Sequence, residues 1–425
     1  MSFNVRKQKQ PSRQSLYALD CLNFFLADVR TGVGPFLVTY LLAVLHWNPA
    51  KIGVVMAVMG IANLLADAPC GALVDSVKKK RLLIIVAASL MGISSVFITL
   101  FSTFYFISAA QVVNGVVSAL FAPAVAAITL GLVGRHTFAL RVGRNEVFNH
   151  AGNVATALVA GIVGYLMGQE WIFYLVAIFG GISAVSVLFI KKDDIDYVRS
   201  RGGALNVTPD GVVALGIRAL FSDRKILIFA IAVTLFHFAN AAMLPLAGQL
   251  ITLRNEIFAS LNMSACIVAA QIIMIPVAFL SGKWGNKWGR KPVFLIGFAI
   301  LPIRGLLYIL SNNPFYIVSV QLLDGIGAGI FGVLSVVVVA DLTQGTGRYN
   351  LVLGAIATAH SIGASLSNVV SGYIVNAWGF STGFVFLAAV AALALAIFGL
   401  MMPETKEILP ISAEALLEEA TKNAA

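Results

Sequence analysis

Long apolar stretches of about 20 residues recur along the whole chain, broken at near-regular intervals by short polar connections. A helix of that length matches the ~30 Å hydrocarbon core of a bilayer. The pattern predicts twelve spans. Spans 1–6 fall at roughly 16–45, 50–74, 82–102, 105–132, 144–168 and 170–190. Spans 7–12 fall at roughly 225–253, 258–281, 292–311, 313–341, 349–377 and 380–402. Between the sets lies the polar stretch "KKDDIDYVRSRGGALNVTPDGVVALGIRALFSDRK", whose end reads as a surface amphipathic helix. The predicted organisation is a six-helix bundle at 1–190, a linker at 191–224, a second six-helix bundle at 225–402 and a polar tail at 403–425.

Composition narrows the class. Of 425 residues, 59% are hydrophobic and 11% charged, against about 25% charged in a soluble domain. A large soluble core is excluded because the apolar runs repeat from end to end. The formal net charge of +10 is not spread evenly. Basic residues gather in the N-terminal arm (Arg6, Lys7, Lys9, Arg13), at Lys78–Arg81, at Arg135, Arg141 and Arg144, at 191–225 and at Lys283–Lys291. The connections near His46, Ser102, Gln169, Asn255, Asn312 and Gly379 are almost free of them. Every second loop is therefore basic. The positive-inside rule then places both termini in the cytoplasm of a multi-pass protein of the cytoplasmic (inner) membrane. The charge speaks for a bilayer partner, not for nucleic acid.

Several chemistries are missing. Cys21, Cys70 and Cys266 sit in apolar segments with no disulfide or metal spacing. The first apolar run is too long for a removable signal and lacks a small-residue cleavage site, so it reads as a retained span. There is no Gly-Lys-Ser/Thr phosphate loop, which argues against ATP as energy source. No catalytic motif of hydrolase or metalloprotease type is present, and nothing resembles a channel filter. The expectation is a protein that is not an enzyme, needs no cofactor or metal and works as a monomer.

The two halves repeat. "GALVDSVKKKR" from Gly71 returns as "GKWGNKWGRKP" from Gly282, 211 residues on. Gln111-Val-Val-Asn114-Gly115 returns as Gln321-Leu-Leu-Asp324-Gly325, and Gly152 and Gly161 return as Gly363 and Gly372. Leu26-Ala27-Asp28 is loosely echoed by Phe238-Ala239-Asn240. Four matches in the same order indicate an internal duplication. Six spans per unit give both units the same orientation, related by an axis along the membrane normal.

On these residues the chain resembles the major facilitator superfamily of secondary transporters over nearly its whole length. "GALVDSVKKKR" is similar to the family's Gly-x-x-x-Asp-x-x-x-basic-x-basic loop between spans 2 and 3, while in the copy Asn286 replaces the acid. Gln111 stands where the family's proton antiporters usually carry Arg in span 4. Span 5 has Gly143, Gly152, Gly161 and Gly164 but lacks the Gly-Pro of the drug-antiporter signature. The likeness to the efflux type is thus partial. The resemblance implies an all-α membrane protein with twelve transmembrane helices in two six-helix bundles, and a cavity lined by spans 1, 4, 7 and 10. It also implies that Gly71, Asp75, Lys79 and Arg81 form a latch for the outward-open state. Without the family, Gly71 permits close helix approach, Asp75 caps or pairs, and the basic run holds the loop at an anionic leaflet.

Polar residues near mid-membrane supply candidate chemistry. A charge at the bilayer centre costs at least ~2.5–3.5 kcal/mol on insertion scales, so it should face protein or water. Depth counting puts Asp28 and Arg30 (span 1), Gln111 and Asn114 (span 4), His237 and Asn240 (span 7), and Gln321 and Asp324 (span 10) at one level. Arg30, Gln111, Asn114, Asn240 and Gln321 are the candidate substrate contacts, with Arg30 suited to an anionic group. Asp28, Asp324 and His237 are the candidate proton carriers, although a His among aromatics also suits a packed core. Arg304 on span 9 matches Asp324 in depth, as a structural ion pair or a proton-released one. Arg144 and Glu146 suit salt bridges between the bundles, and Asp67 a cytoplasmic gate. Pro35 and Pro245, at equivalent places, suit helix breaks or ordinary packing. The function expected is proton-coupled export of a small organic compound, anionic and carboxylate- or chelator-like. The alternative is an uptake symporter for a small organic anion, and the third a membrane sensor or enzyme.

Overall fold

A computed structural model of the protein describes residues 11–30, 34–197, 200, 223–343 and 349–406. The amphipathic end of the linker, most of the polar tail and the first basic residues lie outside the described residues. The described elements are all helices. Among them, nine segments are long and apolar enough to cross a membrane. The last, Val352–Met401, is 50 residues long and broken at Gly379, so it holds spans 11 and 12. Arg13–Val29 with Gly34–Ala43, and Arg290–Leu307, supply spans 1 and 9. The helices line up with the twelve segments read from the hydropathy pattern.

Local chemistry sets their ends. Asn48 accepts a hydrogen bond from the backbone N–H of Lys51 and precedes Pro49, a helix N-terminus with its cap and a proline at the first position. Asn313 and Pro314 repeat the device at span 10. Asp223 caps the start of span 7 through the N–H groups of Lys225 and Ile226. Gly168 (φ 107°) and Gly379 (φ 84°), 211 residues apart, turn the chain between spans 5 and 6 and between 11 and 12. Only glycine adopts that backbone without strain.

Spans 1 and 7 are interrupted at matching places. The first helix stops at Val29 and a new one starts at Gly34, just before Pro35. Span 7 breaks at Ala242, and Pro245 sits in the first turn of the helix that follows. Proline has no N–H to give the preceding turn, so the break falls there. Pro69, Pro123, Pro276 and Pro302 stay inside helices.

Two apolar cores occupy the two halves. One gathers Leu19, Leu37, Ile84, Met91, Phe121 and Phe173, and the other gathers Phe229, Phe236, Phe294, Phe298, Phe384 and Phe398. The duplication is visible in the contacts. A Cβ on Gly152 would lie 2.0 Å from the Phe24 carbonyl oxygen, and one on Gly363 would lie 2.2 Å from that of Thr234. Likewise Gly115 packs on Met59 and Asn63, and Gly325 on Ala270 and Met274. Each member of the second set lies 210 or 211 residues beyond its match, so both halves use glycine to seat the same helix pairs.

The halves touch each other towards one end. Gly53 and Gly60 of span 2 meet Asn368 and Ser365 of span 11, and Gly372 meets the Pro49 carbonyl. Ser260 and Ser264 of span 8 donate to the carbonyls of Gly161 (3.2 Å) and Ala157 (2.7 Å) on span 5. These contacts cluster near the connections that lack basic residues.

At the other, basic end each half is clipped internally. Arg81 donates to the carbonyls of Val187 (3.1 Å) and Leu188 (2.8 Å), capping the C-terminus of span 6. Asp194, just after span 6, accepts from Ser12 and Ser15 at the start of span 1. Glu404, just after span 12, accepts from the backbone N–H groups of Arg290 (2.8 Å) and Lys291 (3.0 Å), which open the span 9 helix.

Candidate functional site

A cavity of about 830 Å³ lies between the halves, on the basic-loop side of the contacts that join them. Span 1 lines it with Ala27 and Arg30, and span 2 with Asn63, Asp67 and Gly71. Span 4 contributes Ser118, Ala122 and Pro123, span 5 contributes Glu146, Asn149 and Asn153, and span 11 contributes His360. The wall is polar in an otherwise apolar molecule, and the first half supplies nearly all of it.

Arg30 is placed by the interruption of span 1. Its backbone N–H still bonds the Leu26 carbonyl at 3.0 Å, as the last turn of the helix, and its side chain reaches the cavity. Its guanidinium forms no hydrogen bond or ion pair among the described residues. Glu146 and Asp67 share the cavity wall, and Glu146 accepts from Asn149 at 3.2 Å. The cavity therefore offers one cation, two acids and a set of amides.

Other candidates stand elsewhere. Gln111 and Asn114 are buried inside the first half, where the Asn114 amide donates to Gln111 Oε1 at 3.1 Å. Asn240, Gln321 and Asp324 belong to a network inside the second half. Arg304 pairs with Asp324 and donates to Asn240 at 2.7 Å. Gln321 donates to Asp324 at 2.8 Å and accepts from the Tyr308 hydroxyl. None of these five residues is on the wall of the cavity that Arg30 lines. Within hydrocarbon, polar side chains at a helix seam satisfy each other before they line a water-filled space.

Arg144 also departs from expectation. It donates to Asp20 at 2.6 Å, and Arg141 donates to the same carboxylate at 2.5 Å, so the bridge lies within the first half and does not span the two. Gly71 is at the cavity with nothing within 4 Å of an added Cβ, while Lys79 is exposed and Arg81 caps span 6. His237 stacks on His360. The side chains of Asp28 and Asp75 lie outside the described residues.

Sequence reading missed Asp20, Asn63, Asn149, Asn153 and His360. A signal existed for most of them. Asn63, Asp67 and Gly71 recur every fourth residue, and Glu146, Asn149 and Asn153 recur at three and four, one polar stripe on each helix.

Two helical bundles of like topology that enclose a polar cavity define a membrane transporter of the two-bundle class, not an enzyme. The Major Facilitator Superfamily profile matches residues 19–270 and 250–422, and the chain belongs to that family. An uncharacterized MFS-type transporter of Mycobacterium tuberculosis, found in two strains, is 49% identical over 393 residues, covering 91% of this chain and 93% of the relative. The fold is also similar to the nucleoside transporter NupG (TM-score 0.72, 18% identity, 91% of this chain and 98% of that one). A bacterial homolog of the human lysosomal transporter Spinster, in an inward-facing and occupied conformation, aligns with TM-score 0.69 at 13% identity over 91% of this chain and 95% of that one.

Proposed function

We propose that this multi-pass membrane protein is a proton-coupled exporter of a small organic compound carrying an anionic group, working by alternating access. The carrying observation is Arg30, a guanidinium on the cavity wall that makes no hydrogen bond or contact ion pair among the described residues, with the Glu146 carboxylate within charge reach. A half-buried cation with no contact ion pair is costly, and an anionic substrate group would supply one. The basic loops on the cavity's open side support a cytoplasmic opening and cytoplasmic termini by the positive-inside rule, in a bacterial cell membrane. The likeness of the 71–81 loop to the family motif supports export. Asp67 and Glu146 are acids at hand for protons that move against the substrate.

A second reading is uptake by symport. It is favoured by His360, which can carry a proton into the same cavity as the anion. Counterflow in proteoliposomes under an imposed pH gradient separates the two. Export coupling gives substrate movement opposite to the proton gradient, and symport gives movement along it. Arg30→Ala should abolish either while the protein still inserts and melts as the parent does; transport at the parental rate in that variant contradicts the anion site.

A further inference from the structure

Spans 7 and 11 bring two imidazoles face to face. The rings of His237 and His360 stack with centroids 3.5 Å apart and planes 11° from parallel. Their surroundings differ. His237 is 9% exposed, edge-on to Phe331 at 4.5 Å and to Phe236 at 5.3 Å, and its buried Nε2 has no hydrogen-bond partner. His360 is exposed and lines the cavity, the one lining residue that the second half supplies there among the described residues.

Such a pair accepts a first proton more easily than a second. A first charge is held against the π face of the neutral partner. A second would set like charges a ring's thickness apart. Hydration decides where the single charge sits. Among the described residues phenyl rings and no carboxylate surround His237, whereas His360 is open to the cavity.

We propose that His360, backed by His237, is the second half's contact for the anionic group of the substrate, and that it makes this contact in its protonated form. The charged and titratable groups facing it are Arg30 from span 1, Asp67 from span 2 and Glu146 from span 5 at the cavity wall, with His237 from span 7 behind it. From span 10 it meets the Phe331 layer through His237, since Asp324 is held by Arg304. An anion held by Arg30 and His360 ties one half of the chain to the other, which rocking between two states requires. This rests on the anionic-substrate reading.

The test uses the full-length protein in lipid nanodiscs. Diethyl pyrocarbonate acylates neutral imidazole, and mass spectrometry resolves the five histidines. His360 is expected to label at least about tenfold faster than His237, with a rate that falls on acidification. A flat pH profile, or equal labelling of both rings, overturns the proposal. A thermal-shift panel of small mono- and dicarboxylates forms the second arm. For each acid that stabilises the parent, His360→Gln should weaken binding about tenfold or more at pH 5.5 and little at pH 8. Equal weakening at both values overturns the proposal, and His237→Phe, which keeps an aromatic backing, should bind as the parent. If no carboxylate stabilises the parent although His360 titrates, the anionic-substrate reading fails, and the contact proposed here fails with it.

Discussion

Arg304 and Asp324 are paired inside the second half, on spans 9 and 10, and neither lines the cavity that Arg30 faces. The Arg304 side chain is 2% exposed, and Asn240 and Met243 complete its surroundings. The pair joins span 9 to span 10. Arg304→Ala or Asp324→Asn alone leaves a buried charge without its partner and should cost about 3–5 kcal/mol of stability. Arg304→Met combined with Asp324→Leu should recover most of that loss. Melting of the purified variants checks this, and an Asp324→Asn protein that melts as the parent but no longer follows a proton gradient would instead assign Asp324 to coupling.

The glycine seams predict a contrast. Gly152→Val and Gly363→Val would drive a side chain into the backbone of span 1 or span 7 and should destabilise by about 1–3 kcal/mol or more. Gly143→Ala has open space and should be close to neutral in melting. Equal losses at all three positions would contradict the seam assignment.

How far the sequence could be read follows from the same contacts. The spans, the breaks near Pro35 and Pro245 and the duplication were legible because they depend on length, proline geometry and spacing. The partnership of Arg304 with Asp324 was legible from depth. The cavity face was not. Depth fixes height along a helix but not its rotation, and rotation here is set by glycine contacts that appear only when helices pack. That is why Gln111 and Gln321 turned inward, while Asn63 and Asn153, on spans 2 and 5, reached the cavity.

Glu404 carries a pH prediction. Burial raises its carboxyl, but hydrogen bonds from the backbone N–H groups of Lys406, Arg290, Lys291 and Thr405 outweigh this and hold it below the ordinary carboxylate value. A depressed carboxylate stabilises the fold above its unfolded value of about 4.3 and loses that contribution as pH falls through its folded value. The parent should therefore hold the start of span 9 firmly at neutral pH and release it on acidification. Glu404→Gln should melt lower than the parent at pH 7, with the gap closing in acid. A gap that is constant with pH would contradict the assignment.

Alternation between two states makes the sharpest demand. Spans 2 and 11 run antiparallel, with Gly60 facing Ser365 and Gly53 facing Gly372. Eleven residues further on, about three helical turns and so the same face, Gly71 comes opposite Gly354. Spans 5 and 8 behave alike. From Gly161 against Ser264, eighteen residues, about five turns, lead to Gly143 opposite Gly282. Gly71, Gly143 and Gly354 have nothing within 4 Å of an added Cβ, and Gly282 meets only Val333 of its own half at 4.0 Å. Closure of the halves at the basic end would bring each pair together, with no Cβ in the way.

Cysteine cross-linking in membranes measures this directly. In a chain free of its native cysteines, Gly71→Cys with Gly354→Cys, and Gly143→Cys with Gly282→Cys, should form disulfides under mild oxidation. Each bond should stop transport, and reduction should restore it. If neither pair links in a protein that is transporting, the halves do not close at the basic end and the alternating-access account is wrong.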